Sequence, residues 1–139
     1  MTVVRKFALC SAVAVSSAIG VMLGSGSGAA ETTPFQLNPA PYANPNGSVD
    51  SLPAHCVAIT GERPGEVTIT GADPRGWGCS TAPVRWLNFS TGASGEAHLS
   101  NGLNGIPPAA TIATGSGQVA VVVFTGGVYT PGFVTVRVP

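Results

Sequence analysis

Two histidines, three cysteines and a thin scatter of carboxylates are the residues of this 139-residue chain that could do chemistry. His55, Cys56, Cys79 and His98 hold the donor types of a zinc site. They lack C-x-x-C and H-x-x-x-H spacing, so a metal site is not expected. His55 or His98 would have to serve as the base of a Ser/His/Asp hydrolase, and no serine lies in a G-x-S-x-G elbow. His98 alternates with Glu96 and Ser100 along one strand-like run, which places a His–Glu pair on a solvated face. Gly115-Ser116-Gly117-Gln118-Val119-Ala120 fits a loose dinucleotide fingerprint. That chemistry needs a helix after the glycines, and Val121-Val122-Val123-Phe124 is strand instead. Asn44-Pro-Asn46-Gly-Ser48-Val-Asp50 spaces oxygen ligands as calcium loops do, but its glycine is misplaced and position twelve is His55. Asn46-Gly-Ser48 and Asn88-Phe-Ser90 match the N-glycosylation sequon. The expectation is a non-enzyme with no cofactor and no metal.

Trp77 is the suggestive residue that remains. It stands between glycines in Arg75-Gly-Trp-Gly-Cys79, and an aromatic beside an arginine on a tethered loop suits a sugar or protein anchor. A lid folded onto the sandwich edge is the favoured alternative. Leu87 and Phe89 pose a second question. Strand alternation puts Trp86 opposite both; with Trp86 in the core, Leu87 and Phe89 form an exposed patch of the kind that marks a partner site. A bulge would reset the register and bury all three. Burial of all three is favoured, because large apolar groups are seldom left wet. Trp77, Arg75, Leu87 and Phe89 are therefore the candidate interaction surface. On that reading Trp77→Ala weakens contact while stability barely changes.

These residues hang on elements read from pattern. Residues 1–30 read as a signal peptide: Arg5 and Lys6, the apolar run Phe7–Leu23, then small residues with Gly28 and Ala30 at the cleavage positions. Export follows, to the medium or the cell wall, with no membrane span after cleavage. From Glu31 onward four arginines face six carboxylates with no lysine and no cluster, a formal charge of about −2. Nucleic acid and anionic membranes need clustered cations, so neither is an expected partner. Cys56 and Cys79 are then expected to form a disulfide. The chain-entropy relation gives roughly 3–3.5 kcal/mol for a loop of about two dozen residues.

Residues 31–54, with prolines at 34, 39, 41, 45 and 53, read as an extended arm ordered only where Phe35, Leu37 or Tyr42 pack. Residues 55–139 read as one β domain of about seven strands: 56–60, 66–70, 84–89, 95–100, 109–114, 118–125 and 133–138. Val84–Phe89 and Gly95–Ser100 form a central hairpin, and the run after Gly115-Ser116-Gly117 closes a second one. The expected core is Val57, Ile59, Val67, Ile69, Val84, Trp86, Ile112, Val119, Val121, Val123, Val134, Val136 and Val138.

Small, exported, cysteine-paired and about seven-stranded, the domain resembles an immunoglobulin-like β-sandwich in architecture. In antibody domains the tryptophan lies between the two cysteines; here Trp86 follows both, so Cys56–Cys79 is not the staple between the sheets. It ties the first strand to the loop before the hairpin. WLNFSTGASGEAHL, TGSGQVAVVVF and PGFVTVRVP, with the Gly/Ala/Val-rich leader, resemble small uncharacterised exported proteins of actinobacteria. That resemblance implies no activity. The expected function is a secreted, non-enzymatic sandwich acting through an unknown protein or cell-surface component. A small-molecule carrier with an apolar cavity between the sheets is the alternative, and a hydrolase the more distant one.

Overall fold

The computed structural model describes residues 28–41, 54–79, 82–124 and 129–139. The leader, Tyr42 and the candidate calcium loop lie outside them. The fold is all-β, with two four-stranded antiparallel sheets. The first holds β1 (Glu31–Pro34), β3 (Cys56–Thr60), β4 (Glu66–Gly71) and β7 (Ala109–Ala113), in the order β1-β3-β4-β7. The second holds β5 (Pro83–Asn88), β6 (Ser94–His98), β8 (Gly117–Val123) and β10 (Gly132–Val138), in the order β10-β8-β5-β6. A two-residue pair, β2 (Ala40–Pro41) with β9 (Tyr129–Thr130), stands apart, and Leu103–Gly105 makes a short 3₁₀ turn.

The seven runs marked by β-branched residues all become strands, and β1 makes an eighth. Its sequence, ETTP, carries no apolar alternation. It pairs by backbone alone, from Glu31 opposite Thr60 to Pro34 opposite Val57, and sits at a sheet edge with its proline last, where a missing donor does little harm. The chain then changes sheets. Phe35 is buried in the core, and Leu37 exchanges both backbone hydrogen bonds with Phe133 of β10. Between them the Gln36 amide stands in for a peptide group: Nε2 donates to the Thr135 carbonyl and Oε1 accepts from the Thr135 N–H. The free edge of β10 is thus partly covered.

The core lies between the sheets and is largely valine. Val67, Ile69, Val84, Val119, Val121, Val123 and Val134 have no exposed surface. Two expected core residues face the other way. Cys56 and Ala58 point into the core cluster from β3, while Val57, which is nonetheless buried, and half-buried Ile59 alternate onto the outer face. CVAIT is apolar at both parities, so hydrophobicity alone does not fix its phase; the inward Cys56 does. Trp86 is half-buried, packed against the core, and its indole lies over Gly95, where a Cβ would stand 3.0 Å from ring atoms.

The turn at Gly115-Ser116-Gly117 is not a hairpin. β7 pairs with β4 and β8 with β5 and β10, so these residues carry the chain from one sheet to the other. An arch of this kind lets Ile112 and Val119 face each other across the core, which a hairpin in one sheet would not.

Candidate functional site

The second sheet turns an apolar face outward. Its strands alternate without a bulge: Val84 and Asn88 are buried, Trp86 is partly so, and Arg85, Leu87 and Phe89 point out. The expectation that a bulge would bury Trp86, Leu87 and Phe89 together fails here, because the pairing of β5 with both neighbours is continuous from Val84 to Leu87. Register then lays out the face in rows. Glu96, Arg85, Val122 and Phe133 form one, and Ser94, Leu87, Ala120 and Thr135 the next. In a third, Gln118 stands opposite Arg137 and accepts a backbone hydrogen bond from Phe89. Leu37 extends the first row beyond Phe133.

Five large apolar side chains of this face are exposed, from 38 % at Phe133 to 59 % at Phe89, with Leu37, Leu87 and Phe124 between. Glu96 and Arg137 sit on its edge strands, and Arg85 stands within it on β5. Arg85 Nε reaches Glu96 Oε1 at 2.7 Å, and the guanidinium lies 5.5 Å from the centre of the Phe124 ring. That stack covers part of an aromatic face with a cation's apolar plane.

Trp77 and Arg75 are elsewhere. Their loop leaves β4 at the end of the sandwich where Cys56 and Cys79 are joined, with Cα atoms 4.7 Å apart. It is a wound turn: Gly76 N–H donates to the Asp73 carbonyl, Asp73 N–H to Trp77, and His55 N–H to Gly78. The Thr70 hydroxyl bonds both the Gly76 and the Pro108 carbonyls. A Cβ at Gly71 would collide with the Trp77 carbonyl, so the glycine is what lets the loop close. Trp77 is 36 % exposed, its ring against the backbone of Gly102. Leu87 near the far end of β5 and Phe89 just past it lie about 13 Å and about 20 Å along the strand from Pro83. The structure does not bring the two halves of the candidate surface together.

The catalytic candidates are also dispersed. Glu96 is engaged by Arg85, and His98, two residues on, stands opposite Pro83. Both thiols are consumed by the disulfide, so the zinc set of His55, His98, Cys56 and Cys79 does not form. Among the described residues no cluster of three or more His, Cys, Asp or Glu could hold a metal. Three hollows among the described residues are superficial. One of about 430 Å³ lies on the outer face of the first sheet, between Ile59, Arg63, Glu66 and Thr111. Smaller ones border Arg137 and the turn at Leu103.

Asn88, read only as a sequon, has a different role. It is fully buried. Its Nδ2 donates to the carbonyls of Thr114, Gly115 and Ser116 at 2.9–3.2 Å, and its Oδ1 accepts from Ser90 and Thr91 N–H. A glycan could not be attached there in the folded protein. Sequence reasoning also passed over Leu37, Val122, Phe124 and Phe133; the alternation of GFVTVRV, with Phe133 out of phase with its valines, was the available signal. No helix among the described residues is long and apolar enough to cross a membrane. Compared with family models, with characterised proteins and with solved structures, the chain matches none.

Proposed function

We propose that this is an exported, non-enzymatic β-sandwich protein that works by contact, presenting the outer face of the second sheet to another protein or a cell-surface component. The observation that carries the reading is the outward row system of exposed Leu37, Phe133, Phe124, Leu87 and Phe89, with half-buried Val122 among them, on one sheet. Apolar surface gathered on one face is what a binding protein must hold ready, and single scattered residues are not. The disulfide is consistent with an oxidising compartment. The order β10-β8-β5-β6 also matches the G-F-C-C′ order of an immunoglobulin variable-type sheet, which supports an immunoglobulin-like plan; β4, inserted between β3 and β7, departs from it.

The test uses protein recovered from the medium of the producing cells. Its mass should correspond to a chain starting near Glu31 and two hydrogens lighter than the reduced form. Labelled wild type should be retained by intact cells or by their envelope fraction, and Leu87→Asp/Phe89→Ser should not be, with melting unchanged. Equal retention of both proteins, or of neither together with a strictly monomeric wild type, would remove the contact reading.

A further inference from the structure

We infer that the occupant of this face is a second copy of the same chain, docked about a two-fold axis that sets Glu96 of each copy against Arg137 of the other. The inference rests on the contact reading above and names its partner. Three observations support it.

The first is area. A large side chain offers ~150–250 Å² when bare, so exposures of 38–59 % at five of them leave roughly 400–500 Å² of apolar surface. Of the polar members of the same rows, Ser94, Glu96, Gln118, Thr135 and Arg137 flank it and Arg85 stands within it. Together they bring the face to the order of 800 Å² per copy that a standard-size interface buries.

The second is charge. From Glu31 onward the formal charge is only about −2, so two copies meet with little long-range repulsion. The third is the placing of the charges. Glu96 is on β6 in the first row; Arg137 is on β10 in the third. The two stand at diagonally opposite corners, ~14 Å apart across the strands and ~13 Å along them. A two-fold contact is self-complementary: if one residue meets another, the reverse contact is made too. An axis lying in the face along the other diagonal exchanges these two corners. It brings each carboxylate to a guanidinium and leaves the apolar band from Phe133 through Leu87 to Phe89 against its own image. The strands of the two copies then cross near a right angle, one of the two ways sheets pack.

Sedimentation equilibrium on the purified protein decides the matter. Wild type should be dimeric at micromolar concentration, and Leu87→Asp monomeric with the same melting temperature. Glu96→Arg and Arg137→Glu should each dimerise at least tenfold more weakly. Mixed in equal amounts they should recover dimer, because the mixed pair restores both contacts. A wild type that stays monomeric to millimolar concentration overturns the proposal. If such a monomer still loses cell retention on Leu87→Asp/Phe89→Ser, the contact reading survives and only the second copy is rejected. A dimer indifferent to either charge reversal overturns the two-fold placement.

Discussion

The two ends of the sandwich are tied by opposite means. At one end β3 and the loop after β4 are joined by the Cys56–Cys79 bond, and around it the Asn38 amide oxygen accepts from Cys56 N–H. At the other end there is no covalent tie among the described residues. There the Asn88 amide gathers the turn after β5 and the arch between β7 and β8. The Gly65 carbonyl accepts from Thr114 and Gly115 N–H, and the Pro139 carbonyl accepts from Gly65 N–H and the Ser116 hydroxyl. The first end carries the long loops, the second only short turns. A long loop has more entropy to lose, and a cross-link that limits the unfolded chain suits it; short turns need only their backbone groups satisfied.

The largest effect should come from breaking the covalent end. Cys56→Ala/Cys79→Ala removes a closure across a sequence separation of 23 and is expected to cost about 3–3.5 kcal/mol. For a domain of this size that lowers Tm by roughly 12–25 °C. Calorimetry of the variant beside the reduced wild type measures it. A loss below about 1 kcal/mol would mean that the loop is held by its hydrogen bonds and the comparison is wrong at this end.

Asn88→Ala breaks the other end. It takes the amide away from two N–H groups and three carbonyls, of which the Thr114 carbonyl is buried and the Gly115 carbonyl keeps the Thr114 hydroxyl, and about 2–3 kcal/mol should be lost. Asn88→Asp separates the roles. The carboxylate still accepts from Ser90 and Thr91 but faces three carbonyl oxygens, so the folded state favours the protonated form and raises its pKa. Stability of that variant should be highest below pH ~4, the ordinary carboxylate range, and fall as pH rises through the raised folded value. A urea series at several pH values reads the slope; a flat profile would show that the amide's donor side contributes nothing.

The two ends also differ in how much of them could be read beforehand. Cysteines announce themselves by type, and the strand runs by β-branched alternation between Gly, Pro and Asp. Asn88 announces nothing, since a polar residue inside a strand looks like a solvent-facing one until its neighbours are known. β1 was hidden because ETTP pairs through its backbone only, and the arch because its glycines are those of a hairpin. The phase of β3 was ambiguous because CVAIT offers apolar residues to both faces. Of the candidate surface, Leu87 and Phe89 were legible as a pair, but their separation from Trp77 and Arg75 depends on which way β5 runs from the loop, a tertiary fact. The rest of the apolar face needed the register: Phe124, Phe133 and Leu37 are distant in sequence and meet only through pairing.

Trp77→Ala tests whether the covalent end needs its loop contents as well as its cross-link. The ring is mostly covered and lies against Gly102, so about 1–2 kcal/mol should be lost, less than from either tie. Self-association should not change, because Leu87 and Phe89 are remote from this loop. Sedimentation and melting on the same sample check both; a weakened dimer would join the two halves of the surface that the fold keeps apart.

The smallest effect belongs to the hydrogen-bonded end. The Ser90 hydroxyl accepts from Gln118 N–H at 3.0 Å, a link between the β5–β6 turn and the start of β8 that is exposed to water. Ser90→Ala removes that acceptor but leaves the Ser90 N–H on Asn88. Water can take over the freed donor, so about 0.5–1 kcal/mol is expected rather than the penalty of a buried group. Combined with Asn88→Ala it should cost less than the sum of the two, since the turn that presents Ser90 is already released. A double-mutant cycle by urea melting gives the coupling. Full additivity would mean that Asn88 and Ser90 act independently, and that this end is a set of separate bonds rather than a network centred on one amide.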